Sequence, residues 1–167
     1  GHDRSKMILS CHGGGYTSGT LGYARLLASR MALATGYEVL AFQYRLAPEH
    51  TYPEALEDAR LIWEYLMFLG WGAREIILAG DSAGGNLALE LALDLRNAQR
   101  MLPSRLILFS PWTDMTATAD SYTECADKDP LLTREYIEAV REAYAPGADW
   151  HEACYSPLFA DLRGLPP

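Results

Sequence analysis

The stretch AGDSAGGN, residues 79–86, places a single serine among glycines, after the apolar run EIIL and before the leucine-rich run LALELALDL. It contains the pattern G-x-S-x-G with Ser82 at its centre, in the order strand, sharp turn and helix that this pattern requires. Side chains flanking so tight a turn would collide with neighbouring chain, and glycine avoids that collision. The turn raises the serine hydroxyl above the carboxyl edge of a parallel sheet, at the positive end of a helix. Ser82 is therefore the candidate nucleophile.

Strand-like and helix-like segments alternate along the chain, which is typical of a parallel sheet covered by helices. Four apolar runs predict buried strands, over residues 7–11, 37–44, 75–80 and 105–110. Apolar residues at helical spacing predict one helix between the first two strands and another between the second and third. The helix after Ser82 is apolar nearly all round, which indicates burial on more than one side. The predicted class is α/β, with about four parallel strands and helices on both faces.

Individual residues mark the expected helix boundaries. Gly36 and Gly70 are placed to end the first two helices, and Pro53 suits the first turn of the second. Beyond Pro111 the pattern becomes irregular, apart from one charged helix that begins at Thr133, which can cap its first turn.

Composition excludes several function classes. With 49% hydrophobic and 22% charged residues, the chain resembles a single folded domain, and its formal net charge of −8 without clustered Lys and Arg argues against nucleic-acid binding. No apolar run approaches the roughly 20 residues of a membrane span, and the first residues lack a signal-peptide pattern. The three cysteines show no CxxC spacing, so neither a disulfide framework nor a zinc site is indicated. We expect a cytoplasmic protein.

A second glycine cluster, HGGG at residues 12–15, directly follows the first predicted strand. Each glycine costs about 1 kcal/mol of folding free energy relative to alanine, so a loop with only a structural role is expected to use fewer. Bare backbone lets amide N–H groups approach a substrate oxygen without Cβ atoms in the way. One such donor contributes about 3 kcal/mol of transition-state stabilisation in acyl transfer. A flexible surface turn is the alternative interpretation.

Together these motifs resemble the hormone-sensitive-lipase-like branch of the α/β-hydrolases. Six stretches spread over nearly the whole chain carry the resemblance: HGGG, YRLAPEHTYPEALED, GDSAGGN, SPWTDM, DPLLT and SPLFADLRGLPP. It implies a serine esterase or lipase that hydrolyses carboxylic esters of short to medium acyl chains through an acyl-enzyme. In the family's layout, residues 1–167 are the middle of a longer catalytic domain with a partial α/β-hydrolase fold. Residues 116 to about 163 are then an excursion that contributes to a cap.

The resemblance also implies roles for individual residues. Ser82 is the nucleophile, and the backbone amides of Gly14, Gly15 and Ala83 form the oxyanion hole. Three residues support the site: His12, which organises the glycine loop rather than transferring protons, Gly13 and Asp81. Five residues hold the corner between the second strand and the next helix, a structural role: Tyr44, Arg45, Pro48, Glu49 and Asp58.

A serine nucleophile needs an imidazole that is oriented by a carboxylate. In the family both follow the nucleophile, so the triad acid and histidine are expected beyond Pro167. Within the chain, His151 is the sole histidine after Ser82. Asp114 follows the fourth strand, where some distant lipases place their acid, although a turn aspartate is the favoured interpretation. The other histidines have better structural explanations: His2, His12 and His50.

Two function classes stay open. The leading one is a carboxylesterase with a small-molecule ester substrate and neither cofactor nor metal, because a nucleophile, a base and amide donors suffice for acyl transfer. The alternative is a non-catalytic small-molecule receptor, since the plant gibberellin receptors resemble this family, keep the serine and lose the histidine. A homodimer through segments outside this sequence is left open. Six side chains could line an acyl pocket, although ordinary packing is the favoured interpretation: Tyr16, Trp112, Leu131, Leu132, Tyr136 and Phe159.

Overall fold

The computed structural model describes residues 3–167, so His2 lies outside the described residues. Within that range lie four strands: β1 (Asp3–Cys11), β2 (Tyr37–Ala41), β3 (Ile76–Asp81) and β4 (Arg105–Phe109). The helices are α1 (Leu21–Thr35), α2 (Glu54–Phe68), α3 (Ala83–Asn97), the single turn α4 (Ser121–Glu124) and α5 (Arg134–Tyr144). Short 3₁₀ turns cover Ala73–Glu75 and Pro157–Phe159. None of the helices in this range has the length and apolarity that crossing a membrane requires.

The four strands form one parallel sheet in the order β2-β1-β3-β4. Cys11 at the end of β1 pairs in register with Gly80 near the end of β3. Since parallel strands end at the same edge, the loops that follow β1 and β3 lie side by side. The predicted α/β class with four adjacent parallel strands is confirmed.

Helices cover both faces of the sheet because successive strand side chains point in opposite directions. On one face, Leu9 and Leu78 pack into the main core with α2 and α3. On the other face, Ile8 and Ile77 pack against Met31 of α1. As expected from its leucines, α3 is buried on nearly every side.

Four predicted details were wrong. β1 begins at Asp3 rather than at Met7. β2 ends at Ala41, before the predicted boundary at Tyr44, because the chain turns into the core, where Tyr44 is buried. Pro53 lies immediately before α2 rather than in its first turn. β2 and β4 are half-buried rather than buried, because each is at an edge of the described sheet and pairs on one side only.

The predicted helix boundaries were otherwise correct. Gly36 follows α1 with φ 72°, a left-handed conformation that suits glycine, and its amide bonds the carbonyl of Ala32 at 2.8 Å. Gly70 lies just beyond the end of α2 at Phe68 and has φ 94°, in the left-handed region that favours glycine. Thr133 caps α5, because its side-chain oxygen accepts the amide N–H of Tyr136 at 3.2 Å.

Arg45 fastens the chain after β2 to helix α2. Its backbone amide donates to the Asp58 carboxylate at 2.8 Å, its Nε donates to the same group at 3.0 Å, and Nη1 reaches Glu54 at 2.6 Å. The contact between Arg45 and Asp58 thus holds the corner at which both residues were predicted to act.

Helix α5 packs over the glycine loop that follows β1. Its buried residue Tyr144 stacks on Tyr16 with ring centroids 3.8 Å apart. Val140 lies so close to Gly15 that a Cβ added to that glycine would approach Cγ1 to 2.7 Å. Arg141 anchors the start of the excursion by donating to the carbonyl oxygens of Met115 at 2.6 Å and Thr116 at 2.7 Å.

Helix α3 carries an acidic group inside the core. Glu90 is 4% exposed, and both of its carboxyl oxygens are buried without a hydrogen-bond partner among the described residues. Burial raises the pKa of Glu90 well above its ordinary value, because desolvation penalises the charged form. Among the described residues, a charge on Glu90 raises the pKa of five nearby side chains, none of which is a cation: Tyr16, Tyr52, Tyr144, Cys154 and Tyr155.

Replacing Glu90 with leucine is expected to stabilise the protein at pH 8 by about 1–3 kcal/mol, because it removes an unpartnered buried carboxyl. The folded-state pKa is raised, so the carboxyl reduces stability as the pH rises from its unfolded pKa of about 4.3 towards the folded value. The gain should therefore shrink at pH 4 to 5. Denaturant unfolding of both proteins at pH 5 and pH 8 measures it.

Glu64 on α2 provides the control, because it is an exposed glutamate on a neighbouring helix. Glu64→Leu is expected to change stability by less than about 0.5 kcal/mol at either pH. A Glu90→Leu protein that is less stable than the wild type at pH 8 would contradict the argument.

Candidate active site

Ser82 lies on the sharp turn between β3 and α3. Its φ of 53° and ψ of −121° put a non-glycine residue in a sparsely populated region of backbone conformation. The turn is held by neighbouring backbone: the Ser82 amide donates to the carbonyl of Phe109 at 3.0 Å, and its carbonyl accepts the amide of Trp112 at 2.9 Å. The side chain makes no capping hydrogen bond to α3, so its hydroxyl is not committed to stabilising the helix.

Gly84 brings the first turn of α3 against the end of β1. A Cβ at this position would lie 2.5 Å from the carbonyl oxygen of His12, and closer still to that of Cys11. Real Cβ atoms do not approach backbone oxygens so closely, so only glycine fits. The absence of a side chain here is what lets the serine turn and the glycine loop touch.

The glycine loop folds back on itself. Gly14 has φ 124° and Gly15 has φ 61°, both in the region that favours glycine. The Gly14 carbonyl turns into the loop, where it accepts the amides of Thr17 at 3.2 Å and Ser18 at 2.9 Å. Within residues 3–167, the amides of Gly14, Gly15 and Ala83 make no hydrogen bond to a backbone carbonyl outside the helices and strands. Three backbone donors near the serine turn are therefore free to bind an oxygen.

Asp81 joins the two loops. Its Oδ1 accepts the Gly13 amide at 2.9 Å, and its Oδ2 accepts the Tyr23 hydroxyl at 2.7 Å. The hydrogen bond to the carboxylate raises the pKa of Tyr23. Because Asp81 and Gly13 are the immediate chain neighbours of Ser82 and Gly14, this bond sets the spacing between Ser82 and the loop. Sequence reasoning missed Tyr23, and a tyrosine on an amphipathic helix gives no signal of such a contact.

His12 lies beneath the glycine loop. It is buried, its Nδ1 is 2.7 Å from the carbonyl oxygen of Gly13, and its ring stacks on Tyr44 at 4.2 Å. The Tyr44 hydroxyl donates to the His12 carbonyl at 2.6 Å. Burial lowers the pKa of His12, which favours the neutral ring. These contacts are those expected of a residue that organises the loop, and that role of His12 stays a prediction.

Asn86, one helical turn after Ser82, was also missed. It accepts the Tyr16 hydroxyl at 2.6 Å and donates to the carbonyls of Trp112 at 2.7 Å and Tyr155 at 3.0 Å. It thus ties the glycine loop, the chain after β4 and the excursion to α3. A lone amide in an otherwise apolar helix is a signal that could have identified it, since buried amides are hydrogen-bonded.

The alternative triad candidates are engaged elsewhere. His50 pairs with Glu54 at 2.7 Å, and the exposed His151 pairs with Asp149 at 3.2 Å. Asp114 accepts the amide of Thr116 at 2.8 Å, which is the hydrogen bond of a turn aspartate. The expectation that the acid and histidine lie beyond Pro167 stays a prediction.

The six predicted pocket residues do not form one wall. Tyr16 is completely buried and belongs to the core, in line with the packing interpretation. Leu132 borders a cavity of about 490 Å³ between α4 and α5. Phe159 borders a different cavity, and Trp112 is partly buried against the main core. Leu131 and Tyr136 are exposed.

Comparison with known proteins places the chain in a family. The family model described as the alpha/beta hydrolase fold matches residues 8–167. An esterase described as belonging to the bacterial hormone-sensitive lipase family superposes on the whole chain with a TM-score of 0.95 at 38% sequence identity, and the match covers 56% of that structure. The chain belongs to the hormone-sensitive-lipase-like esterase family of the α/β-hydrolases.

Curated members of this esterase family show similar identity. An esterase from Acinetobacter venetianus is 39% identical, with 98% of this chain and 54% of the relative covered. An acetyl-hydrolase from Streptomyces hygroscopicus is 36% identical, with 97% of this chain and 54% of the relative covered. The chain thus spans about half the length of the curated relatives that it matches.

Proposed function

We propose that the protein is a serine carboxylesterase that hydrolyses small esters of short to medium acyl chains. The observation that carries the proposal is the hydrogen bond between the Gly13 amide and Asp81, which holds free loop amides beside a serine on a strained turn. The fold alone would allow many chemistries, so the proposal depends on this site rather than on the architecture.

In the proposed reaction, the Ser82 hydroxyl attacks the ester carbonyl carbon and loses its proton to a histidine base. The carbonyl oxygen becomes an oxyanion, which the amides of Gly14, Gly15 and Ala83 stabilise. The alcohol leaves with the proton from the base, and an acyl-enzyme remains on Ser82. Water then hydrolyses that ester by the same steps. We place the base and its carboxylate outside residues 1–167.

The preference for short acyl chains is supported by the acetyl-hydrolase among the relatives. We also infer that residues 116 to about 163 contribute to a cap over the substrate. Helix α5 supports this inference, because its buried Val140 and Tyr144 lie directly against the glycine loop.

The test is active-site labelling of the full-length protein with a fluorophosphonate, followed by mass spectrometry of the modified peptide. We expect one covalent adduct, located on Ser82, because only an activated serine reacts quickly with this reagent. Ser29, an exposed helical serine, should stay unmodified in the same digest and serves as the internal control. Hydrolysis of p-nitrophenyl acetate is measured in parallel.

An unlabelled Ser82 in protein that is folded and that releases no acid would overturn the proposal. That outcome would instead favour a receptor on the same scaffold, which binds a small molecule without forming an acyl-enzyme.

A further inference from the structure

Tyr23 connects the start of helix α1 to the residue before Ser82. It is the third residue of α1, and its backbone is held there because the side-chain oxygen of Thr20 accepts the Tyr23 amide at 3.2 Å. From this position its hydroxyl reaches the carboxylate of Asp81 at the end of β3, although 58 positions separate the two residues in sequence. A helix that is otherwise remote from the serine turn therefore contributes one polar contact to it.

The Asp81 carboxylate is shared between two donors, one on each oxygen. Oδ1 accepts the Gly13 amide at 2.9 Å, and Oδ2 accepts the Tyr23 hydroxyl at 2.7 Å. The carboxylate can lie this close to the loop only because residue 13 is glycine, since a Cβ at that position would clash with Oδ2. The terminal torsion of an aspartate is soft, so a single bond would leave the carboxylate free to turn. Two bonds on opposite oxygens fix its plane.

The bond from Gly13 to Asp81 orients the chain that leads to the Gly14 amide. In the peptide group before Gly13, the N–H is held by Asp81, and the His12 carbonyl accepts the Tyr44 hydroxyl at 2.6 Å. In the next peptide group, the Gly13 carbonyl oxygen lies 2.7 Å from Nδ1 of His12. The C=O and N–H of a trans peptide point in opposite directions, so the Gly14 amide points away from His12. The direction of this amide thus depends on a peptide group that Asp81 holds.

We propose that Tyr23 is a positioning residue for the oxyanion hole: its hydroxyl holds the Asp81 carboxylate in the orientation that the Gly13 amide needs. This inference rests on the proposed esterase function, in which the loop amides stabilise the oxyanion. Tyr23 acts through Asp81 and does not touch the substrate. Asp81 is only half-buried, so without the hydroxyl water would compete for Oδ2 and the carboxylate would turn.

The first test is kinetic and uses the full-length protein, in which Tyr23→Phe removes only the hydroxyl. We expect kcat for p-nitrophenyl acetate to fall about 10- to 100-fold while KM changes less than about twofold, because misplaced donors weaken transition-state binding more than substrate binding. Tyr65→Phe is the matched control. Tyr65 is also a half-exposed helical tyrosine, 51% exposed against 48% for Tyr23, but lies on α2, so this variant should keep the wild-type kcat.

A double variant tests whether Tyr23 acts through Asp81. Asp81→Ala removes the acceptor of both donors, so adding Tyr23→Phe to it should lower kcat by less than about a further twofold. A merely structural contribution of the tyrosine would not depend on the carboxylate in this way. Losses that multiply in the double variant would overturn the inference.

The orientation of the loop can also be measured without turnover, by hydrogen exchange in protein labelled with nitrogen-15 at glycine. In Tyr23→Phe the Gly13 amide should exchange about tenfold faster or more, because its acceptor is no longer fixed. The Gly36 amide, bonded to the Ala32 carbonyl at the other end of α1 at 2.8 Å, should not change. An unchanged Gly13, or equal acceleration at both glycines, would overturn the inference. If Asp81→Ala does not fold, this measurement and the kcat of Tyr23→Phe decide.

Wild-type protein separates failure of this inference from failure of the esterase proposal. If the wild type hydrolyses the ester and is labelled on Ser82, but Tyr23→Phe has the same kcat, the positioning role is overturned and the esterase proposal stands. If the folded wild type neither hydrolyses the ester nor is labelled, the esterase proposal is overturned, and the positioning role with it.

Discussion

Replacing Ser82 with alanine in the full-length protein is expected to lower kcat for p-nitrophenyl acetate by about 10⁴- to 10⁶-fold. The loss is that large because, in the proposed reaction, the hydroxyl oxygen forms the covalent bond to the acyl group. In that reaction, neighbouring donors such as the Gly14 and Gly15 amides stabilise only the charge that develops afterwards. The residual rate above water should come from these amides and from substrate binding. Steady-state kinetics on wild type and variant measure the effect.

The same position tests the strain of the turn. Alanine inherits the unfavourable φ of 53°, so Ser82→Ala should unfold within about 0.5 kcal/mol of the wild type. Glycine accepts that conformation, so Ser82→Gly should be about 1 kcal/mol more stable than Ser82→Ala while being equally inactive. Ser29→Ala on the surface of α1 should keep full activity. Substantial activity in both Ser82 variants would show that another group is the nucleophile.

Much of the fold could be predicted because the ends and buried faces of its helices and strands follow from residues close in sequence. Thr133 and Gly36 mark helix ends through their own side chain or lack of one, and the α3 leucines show burial by their spacing. Errors arose where distant contacts decide. β2 stops at Ala41 because Tyr44 is drawn into the core by His12 and the chain after β1, a contact that no local pattern encodes.

In the candidate site, too, the residues marked by local sequence could be predicted and the long-range contacts could not. Ser82 and the loop 12–15 could be identified because tight turns and close backbone approaches restrict the residue types that fit. The links between them could not, since the bonds from Asp81 to Gly13 and Tyr23 join residues that are far apart in sequence. The unpartnered state of Glu90 likewise depends on which side chains surround it after folding, not on its neighbours in the chain.

Gly84→Ala is expected to destabilise the protein by about 3 kcal/mol or more, a large effect for one methyl group. The new Cβ would meet the carbonyl oxygens of Cys11 and His12, which are fixed by the β1 strand and by the hydrogen bond from Tyr44. Backbone atoms in a central strand cannot turn aside as a flexible side chain can. The strain must therefore push α3 away from β1. The resulting drop in the unfolding temperature should be about 6–12 °C for a chain of this size.

That displacement should also separate the serine turn from the glycine loop, so any folded Gly84→Ala protein should lose esterase activity beyond its loss of stability. Gly22→Ala is the matched control, because a Cβ on Gly22 in the first turn of α1 would meet only the Thr20 hydroxyl at 3.5 Å, an ordinary contact. This variant should be as stable as the wild type or more stable by up to about 1 kcal/mol, since alanine favours helix. Equal unfolding temperatures for Gly84→Ala and Gly22→Ala would mean that β1 and α3 are not packed as closely as the site requires.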